Sequence, residues 1–170
     1  MIVLVPPGHV DRDALLVFEL ENRAFFEARI NARAPDYYSA AGVTQAIQSA
    51  IDDAAAGRGY QFLVKSGDEI IGRINLRDVV RSPMRSAVLG YRIGEAHAGK
   101  GHASAALRLL QEIAFGRLGL VRIEAGVHDS NLASARVLLR NGFVQFDQTP
   151  NSVELDGVWH DRLHFERYAQ

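Results

Sequence analysis

The stretch best suited to bind an anion is Gly99-Lys100-Gly101-His102-Ala103-Ser104, in which four of the six residues are small. It comes after a predicted strand over Ala87 to Gly94 and begins a predicted helix that reaches about Leu118. The first N–H groups of a helix have no partner inside it, and the helix dipole is positive at that end. The turn is therefore predicted to bind an anion, most usefully a phosphate. A purely structural strand-to-helix turn fits these residues equally well.

Two common phosphate-binding motifs do not match this turn. A P-loop needs Lys followed by Ser or Thr after its second glycine, whereas Gly101 is followed by His102. A dinucleotide-binding fold places its glycine-rich turn after the first parallel strand, but here the turn comes after three sequential strands. Both nucleotide-binding interpretations are disfavoured.

A second polar group lies downstream, where Asn131 begins a predicted helix over Asn131 to Asn141 and Ser134 lies in its first turn. Gly142-Phe143 ends that helix. Taken alone, these residues are typical of a helix cap and of a stop followed by a core residue.

Hydrophobic periodicity predicts the elements that position both groups. The predicted order is β-α-α-β-β-β-α-β-α-β-β, which indicates a mixed α/β or α+β domain. The first helix is capped by Asp11 or Asp13 and the second by Thr44. The chain is predicted to turn at Thr149-Pro150-Asn151 between its last two strands. The predicted strands are Ile2 to Val5, Tyr60 to Lys65, Glu69 to Val80, Ala87 to Gly94, Val121 to Val127, Phe143 to Phe146 and Val158 to Phe165.

Together with Leu89-Gly90-Tyr91-Arg92-Ile93, the two polar groups resemble the GNAT superfamily of acetyl-CoA-dependent N-acetyltransferases. The stretches Glu21 to Phe26 and Gly157 to Asp161 resemble its branch of ribosomal-protein alanine N-acetyltransferases. The resemblance implies one GNAT-like domain over residues 1–170. It also implies a central, mostly antiparallel sheet of about six to seven strands flanked by helices, with acetyl-CoA as the cosubstrate.

The resemblance also implies roles for individual residues. The backbone of Tyr91, Arg92 and Ile93 would pair with the pantetheine arm, and Asn131 and Ser134 would face the arm and the thioester. The residues implied to hold the CoA pyrophosphate are Ala98, Gly99, Lys100, Gly101, His102, Ala103 and Ser104. Ala98 stands where the family usually has Gln or Arg, which leaves more of this contact to backbone amides.

Catalysis needs a group that stabilises the departing thiolate and a way to take a proton from the amine. Many family members carry a Tyr where this chain has Leu138, so the Ser134 hydroxyl is the expected substitute. Glu21, Glu124 and His128 are the candidate bases, with Glu21 preferred because the family's layout places it on the substrate side. A chain of water molecules is the alternative.

The composition narrows the mechanism and leaves the acceptor open. The chain has no cysteine, so an acyl-cysteine intermediate is excluded and a primary amine would attack directly in a ternary complex. A protein N-terminal α-amine is the favoured acceptor. A small amine such as an aminoglycoside, a polyamine or an amino acid is the alternative, as is a non-catalytic acyl-CoA-binding regulatory domain.

The remaining expectations concern partners and location. The net charge of -1 gives no general reason to expect nucleic acid or membrane binding. The six histidines lack metal-ligand spacing, so no metal is expected. With no signal or spanning segment, the expected location is the cytoplasm. The last strands would suit a homodimer, and Tyr37-Tyr38 is a candidate wall of the acceptor site.

Overall fold

The computed structural model describes all 170 residues, and its centre is a seven-stranded sheet in the order β1-β2-β3-β4-β5-β7-β6. The mixed α+β class and the element order are confirmed, except that the first predicted helix is divided in two at Asn22. The strands are β1 Ile2–Val5, β2 Tyr60–Ser66, β3 Glu69–Val80, β4 Ser86–Ile93, β5 Arg122–His128, β6 Val144–Leu155 and β7 Val158–Tyr168. The helices are α1 Arg12–Glu21, α2 Arg23–Glu27, α3 Ala40–Ala56, α4 His102–Gln111 and α5 Leu132–Arg140.

The feature that shapes the site is the pair formed by β4 and β5, the one parallel pair in a sheet that is otherwise antiparallel. Their pairing ends at Leu89 opposite Ala125, although β4 continues to Ile93 and β5 to His128. Beyond Leu89, β4 pairs with β3 alone. The two strands therefore diverge and open a gap in the middle of the sheet.

Each face of the sheet has its own core. Ile74 and Leu76 of β3 pack under α4 and α5 with Leu107 and Leu138. On the other face, α1 and α3 pack on Leu63 and Ile70. Side chains alternate along a strand, so Arg73, Asn75 and Arg77 point to the opposite face, toward α1. The gap between β4 and β5 thus connects the two sides of the sheet.

Two local predictions were wrong, namely the start of α3 and the turn between the last two strands. The helix predicted to begin at Thr44 begins at Ala40, because the Ser39 hydroxyl oxygen accepts a hydrogen bond from the Gly42 N–H at 3.0 Å. Thr44 lies inside that helix and donates to the Ala40 carbonyl. The helix predicted to reach about Leu118 does so, because α4 continues beyond Gln111 as a wider π-helical turn to Arg117, in which the Leu118 N–H donates to the Ile113 carbonyl.

The predicted turn at Thr149-Pro150-Asn151 is part of β6. Asn151 has a φ of 44°, and the register with β7 shifts between Thr149 and Val153, which makes this stretch a bulge. The chain reverses instead at Asp156-Gly157, where both residues have positive φ. No helix is both long and apolar enough to cross a lipid bilayer.

Candidate active site

The predicted anion site is a turn with exposed amides at the start of α4. Gly99 and Gly101 have φ values of 72° and 81°, a left-handed conformation that glycine adopts without strain. The helix begins directly after them at His102. The N–H groups of His102, Ala103 and Ser104 donate to no group in the protein, since the first helical hydrogen bond runs from Ala105 to Gly101. These amides are available to phosphate oxygens.

Contacts from neighbouring helices hold this turn in place. The Asn22 side-chain oxygen accepts from the Glu95 N–H at 2.8 Å, and the Asn22 amide donates to the Phe18 carbonyl. At the other end, the Asn141 amide donates to the Ser104 hydroxyl oxygen at 2.8 Å. The Ser104 hydroxyl oxygen also accepts from Arg108, so its own O–H, like the N–H of that residue, remains available to donate to a ligand.

A cavity of about 410 Å³ extends from the turn between α4 and α5, and we call it the α4–α5 groove. Its walls include Phe26 and Ile93 and no carboxylate. Arg136 and Arg140 lie four residues apart on one face of α5 and form no ion pair, so both are free to meet an anion. The basic side chains that line the groove are Arg29, Arg92, His97, His102, Arg136 and Arg140.

A hydrogen-bonded hydroxyl pair lies at the inner end of the groove. The Tyr91 hydroxyl on β4 is 2.7 Å from the Ser134 hydroxyl on α5. Asn131 caps that helix, because its side-chain oxygen accepts from the Ser134 N–H at 3.2 Å. Burial raises the pKa of Tyr91 above its ordinary value, partly offset by the Ser134 hydrogen bond, so the phenol is protonated at neutral pH.

A second cavity of about 350 Å³ lies on the opposite face of the sheet, and we call it the arginine cavity. No Asp or Glu lines it. Loops and strands that are far apart in the sequence contribute its cationic side chains. These are Arg33, Arg73, Arg77, Arg92 and Arg162.

Gly90 on β4 and Gly126 on β5 have no side chains, which leaves space at the floor of the arginine cavity. A Cβ at Gly90 would come within 2.9 Å of the Asn75 side-chain oxygen. A Cβ at Gly126 would overlap the Arg162 guanidinium, which lies directly over that backbone. A larger residue at either position would displace a side chain that lines the cavity.

One buried carboxylate, outside the lining of the cavity, contacts two of the arginines. Glu19 is fully buried, and its side chain is 2.8 Å from Arg73 and 3.7 Å from Arg92. Arg73 also donates to the Tyr37 hydroxyl at 2.8 Å and to Gln61 at 2.8 Å. Burial and the positive charge of Arg33 lower the pKa of Arg92 to about 10, so it remains a cation at neutral pH.

The two cavities meet at the hydroxyl pair. Both are lined by Ile30, Tyr91, Arg92, Asn131 and Ser134, which lie beside the gap between β4 and β5. A ligand entering from the α4 side and another entering from the α1 side would therefore touch at this point. Such an arrangement brings two reactants together without a covalent enzyme intermediate.

The structure brings together most of the predicted site residues, but not the two carboxylates predicted as candidate bases. Glu21 is exposed at the end of α1 and lines neither cavity. It is two residues from the buried Glu19, and residues two apart on a helix face different directions. Glu124 is paired with Arg122 and is also outside both cavities. His128 does line the arginine cavity. Tyr37 and Tyr38 do not line it, and the Tyr37 hydroxyl instead accepts a hydrogen bond from Arg73.

His128 is held at both ring nitrogens. Its Nε2 donates to the Arg29 carbonyl at 2.6 Å, which leaves Nδ1 to accept from the Ser130 hydroxyl at 2.7 Å. Neither nitrogen is free to take a proton from an amine in this arrangement. No group of three or more His, Cys, Asp or Glu side chains lies close enough to hold a metal ion.

Sequence reasoning missed the Tyr91 side chain, the α5 arginines and the arginine cavity. The four-residue spacing of Arg136 and Arg140 on a helix next to the predicted thioester site was a usable signal. The alternation of Arg73, Asn75 and Arg77 was a second signal, since polar residues at every other position mark one face of a strand. Nothing local places Arg33 or Arg162 beside them.

Comparison with known proteins identifies the fold and its chemistry. Residues 2–144 match the model of the acetyltransferase (GNAT) domain. The chain belongs to the GNAT acetyltransferase family. It is 37% identical over 162 residues to the probable N-acetyltransferase YjcK of Bacillus subtilis, covering 94% of this chain and 90% of that protein.

Two further GNAT proteins are similar over nearly the whole chain. The [ribosomal protein uS5]-alanine N-acetyltransferase of Escherichia coli is 29% identical over 161 residues, covering 90% of this chain and 81% of that protein. The structure of Mycobacterium smegmatis RimJ in complex with CoA-disulfide superposes with a TM-score of 0.90 at 26% identity. That match covers 99% of this chain and 82% of RimJ. This GNAT protein is an acetyl-CoA-dependent N-acetyltransferase, as its sequence predicted.

Proposed function

We propose that this enzyme transfers the acetyl group of acetyl-CoA to the α-amine at the N-terminus of a protein, by direct attack in a ternary complex. The α4–α5 groove holds acetyl-CoA, with its pyrophosphate on the amides of Ala98 to Ser104 and its pantetheine arm along Tyr91 to Ile93. The acceptor enters the arginine cavity from the other face of the sheet. The amine and the thioester meet beside Tyr91 and Ser134.

The observation that supports this acceptor is a cavity with five arginines and no carboxylate. A polyamine or an aminoglycoside carries several ammonium groups, which such a cavity would repel. An α-amine has a pKa of about 7.7 to 8.0, whereas a lysine amine has a pKa of about 10.4. Nearby arginines lower the pKa of a bound amine further, so an α-amine can be neutral and nucleophilic near neutral pH without a carboxylate base.

The proposed reaction divides the work among few groups. The amine nitrogen attacks the thioester carbonyl carbon, the bond from that carbon to sulfur breaks, and CoA leaves as a thiolate. Tyr91, bridged to Ser134, donates a proton to the sulfur. The proton lost by the amine passes to water in the open arginine cavity, which then restores Tyr91. Asn131 positions Ser134 by capping α5.

The relatives support the class of acceptor. The uS5-alanine enzyme modifies a protein alanine by its name, and it is similar to this chain over 90% of the chain's length. YjcK is named as a probable N-acetyltransferase without an acceptor.

The test is release of the CoA thiol from acetyl-CoA with a panel of acceptors. We expect turnover with peptides that begin with Ala or Ser and none with the same peptides acetylated at the N-terminus. Mass spectrometry should place the acetyl group on the α-amine of a peptide that also contains lysine. Faster turnover with spermidine or kanamycin would overturn the proposal, as would tight acetyl-CoA binding with no turnover on any acceptor.

A further inference from the structure

The arginine cavity carries more positive charge than its surroundings neutralise. Arg73 and Arg92 share the single carboxylate of Glu19. Arg77 has only an exposed contact with Asp78 at 3.2 Å. No carboxylate forms an ion pair with Arg33 or Arg162. A group of cations that lines one cavity with too few anions favours an anionic ligand.

Two buried polar atoms at this cavity have no partner in the protein. The Arg33 Nε is buried without a hydrogen-bond acceptor, and the Asn75 side-chain oxygen is buried without a donor. Buried polar atoms are nearly always hydrogen-bonded, so each unpartnered atom needs an explanation. Both residues line the arginine cavity, where a ligand with an anion and an N–H group would satisfy them.

The β3 side chains at the floor of the arginine cavity are spaced like the side chains of an extended peptide. Arg73, Asn75 and Arg77 occupy alternate positions on β3, so their side chains repeat along one face at about 6.6 Å. An extended peptide repeats its own side chains on one side at the same interval. From Arg73 to Arg77 the strand spans about 13 Å, a length that about four residues of an extended acceptor would cover.

We propose that the acceptor polypeptide has an acidic N-terminal segment, with Asp or Glu side chains within its first five or so residues. These carboxylates bind Arg33, Arg77 and Arg162, while the Asn75 oxygen accepts from a peptide or amine N–H. Guanidinium groups pair with carboxylates through two parallel hydrogen bonds, which gives geometric selectivity as well as attraction. The inference rests on the proposed function, because it concerns the acceptor residues that come after the acetylated one.

The first experiment compares three peptides of equal length that all begin with Ala. One continues with Asp and Glu, the second with Asn and Gln, and the third with Lys at the same positions. We expect kcat/KM for the acidic peptide to be about tenfold above that for the amide peptide, with the lysine peptide lowest. Raising the salt from about 0.05 M to about 0.5 M should narrow the differences, since salt screens charge attraction.

The second experiment tests which arginines cause the preference for the acidic peptide. Arg162→Gln and Arg33→Gln should each reduce the acidic-to-amide ratio of kcat/KM from about tenfold to about threefold. Arg12→Gln is the matched control, because Arg12 pairs only with its neighbour Asp13 and lies outside both cavities. That variant should keep the wild-type ratio.

The outcomes separate this inference from the proposed function. Equal kcat/KM for the acidic and amide peptides would overturn the acidic segment and leave N-terminal acetylation intact. A full tenfold ratio in both Arg162→Gln and Arg33→Gln would overturn the assigned contacts. If none of the three peptides is acetylated while a small amine releases CoA, the proposed function itself is wrong.

Discussion

The two cavities bind by different means. In the α4–α5 groove, the decisive groups are backbone amides of consecutive residues, which the left-handed Gly99 and Gly101 turn toward a ligand. In the arginine cavity, the decisive groups are side chains from a loop and three strands, brought together by register. The first arrangement offers N–H donors suited to phosphate oxygens from one short stretch of chain. The second depends on every strand that forms the floor.

This difference separates the binding of the cosubstrate from the choice of acceptor. The amides at the start of α4 need no particular side chain, so the groove tolerates Ala98 where the family commonly has a longer polar residue. The arginine cavity can change its ligand through a single substitution on one strand. Variants in one cavity should therefore leave the other working, and four predictions test that expectation.

The largest effect is expected for Gly101→Glu, which should weaken acetyl-CoA binding by about 100-fold or more. The new carboxylate would lie at the start of α4, where the pyrophosphate is proposed to bind. The left-handed backbone at Gly101 would add about 1–2 kcal/mol of strain. Isothermal titration calorimetry with acetyl-CoA measures the loss.

Gly119→Glu is the control for Gly101→Glu. Gly119 also has a positive φ, of 65°, and its Cβ position is open, but it lies outside both cavities. It therefore carries the same strain and the same added charge without touching the groove. Acetyl-CoA binding by Gly101→Glu that matches the control would show that the pyrophosphate binds elsewhere.

Gly126→Val tests the other cavity. The valine side chain would displace the Arg162 guanidinium, so we expect kcat/KM for an acceptor peptide to fall about 30-fold, the loss typical of a misplaced binding group. The dissociation constant of acetyl-CoA should stay within about threefold, because the groove lies on the opposite face of the sheet. Gly116→Val, at an open position outside both cavities, controls for the added side chain. Weaker acetyl-CoA binding with unchanged peptide kinetics would contradict the division between the cavities.

Tyr91→Phe acts where the two cavities meet, and kcat should fall about tenfold while acetyl-CoA binding is retained. The proposed acid must be protonated, and burial raises the pKa of Tyr91 above its ordinary value. The wild-type kcat should therefore show no alkaline decline from this group below about pH 10. Tyr38→Phe, outside both cavities, is the control. An unchanged kcat in Tyr91→Phe would exclude this hydroxyl as the proton donor.

The smallest effect is expected for Glu21→Gln. Glu21 is exposed, forms no ion pair and lines neither cavity, so kcat/KM should stay within about twofold of the wild type, as for most surface substitutions. Steady-state kinetics with an acceptor peptide gives the answer. A loss of 100-fold would restore Glu21 as the base and would require α1 to move when the acceptor binds.

The sequence predicted the groove more accurately than the acceptor side. Gly99, Gly101, Asn131 and Ser134 act through local geometry, namely a left-handed turn and a helix cap, which neighbours in the chain determine. The two carboxylates predicted as candidate bases lie outside both cavities, because a carboxylate near the right stretch of chain need not point toward the site. Glu21 and Glu19 are two residues apart on α1, yet one is exposed and the other is fully buried between arginines.

The sequence by itself determined the order of elements, the glycine turn with unpaired amides at the start of α4 and the helix capped by Asn131. Periodicity and capping are properties of consecutive residues, so no distant contact was needed to predict them. Tertiary structure decided the rest. The divergence of β4 and β5 opens the sheet, and the pairing of β3, β4, β5 and β7 collects arginines that lie far apart in the chain. Strand register sets those neighbours, and no short stretch of the sequence encodes it.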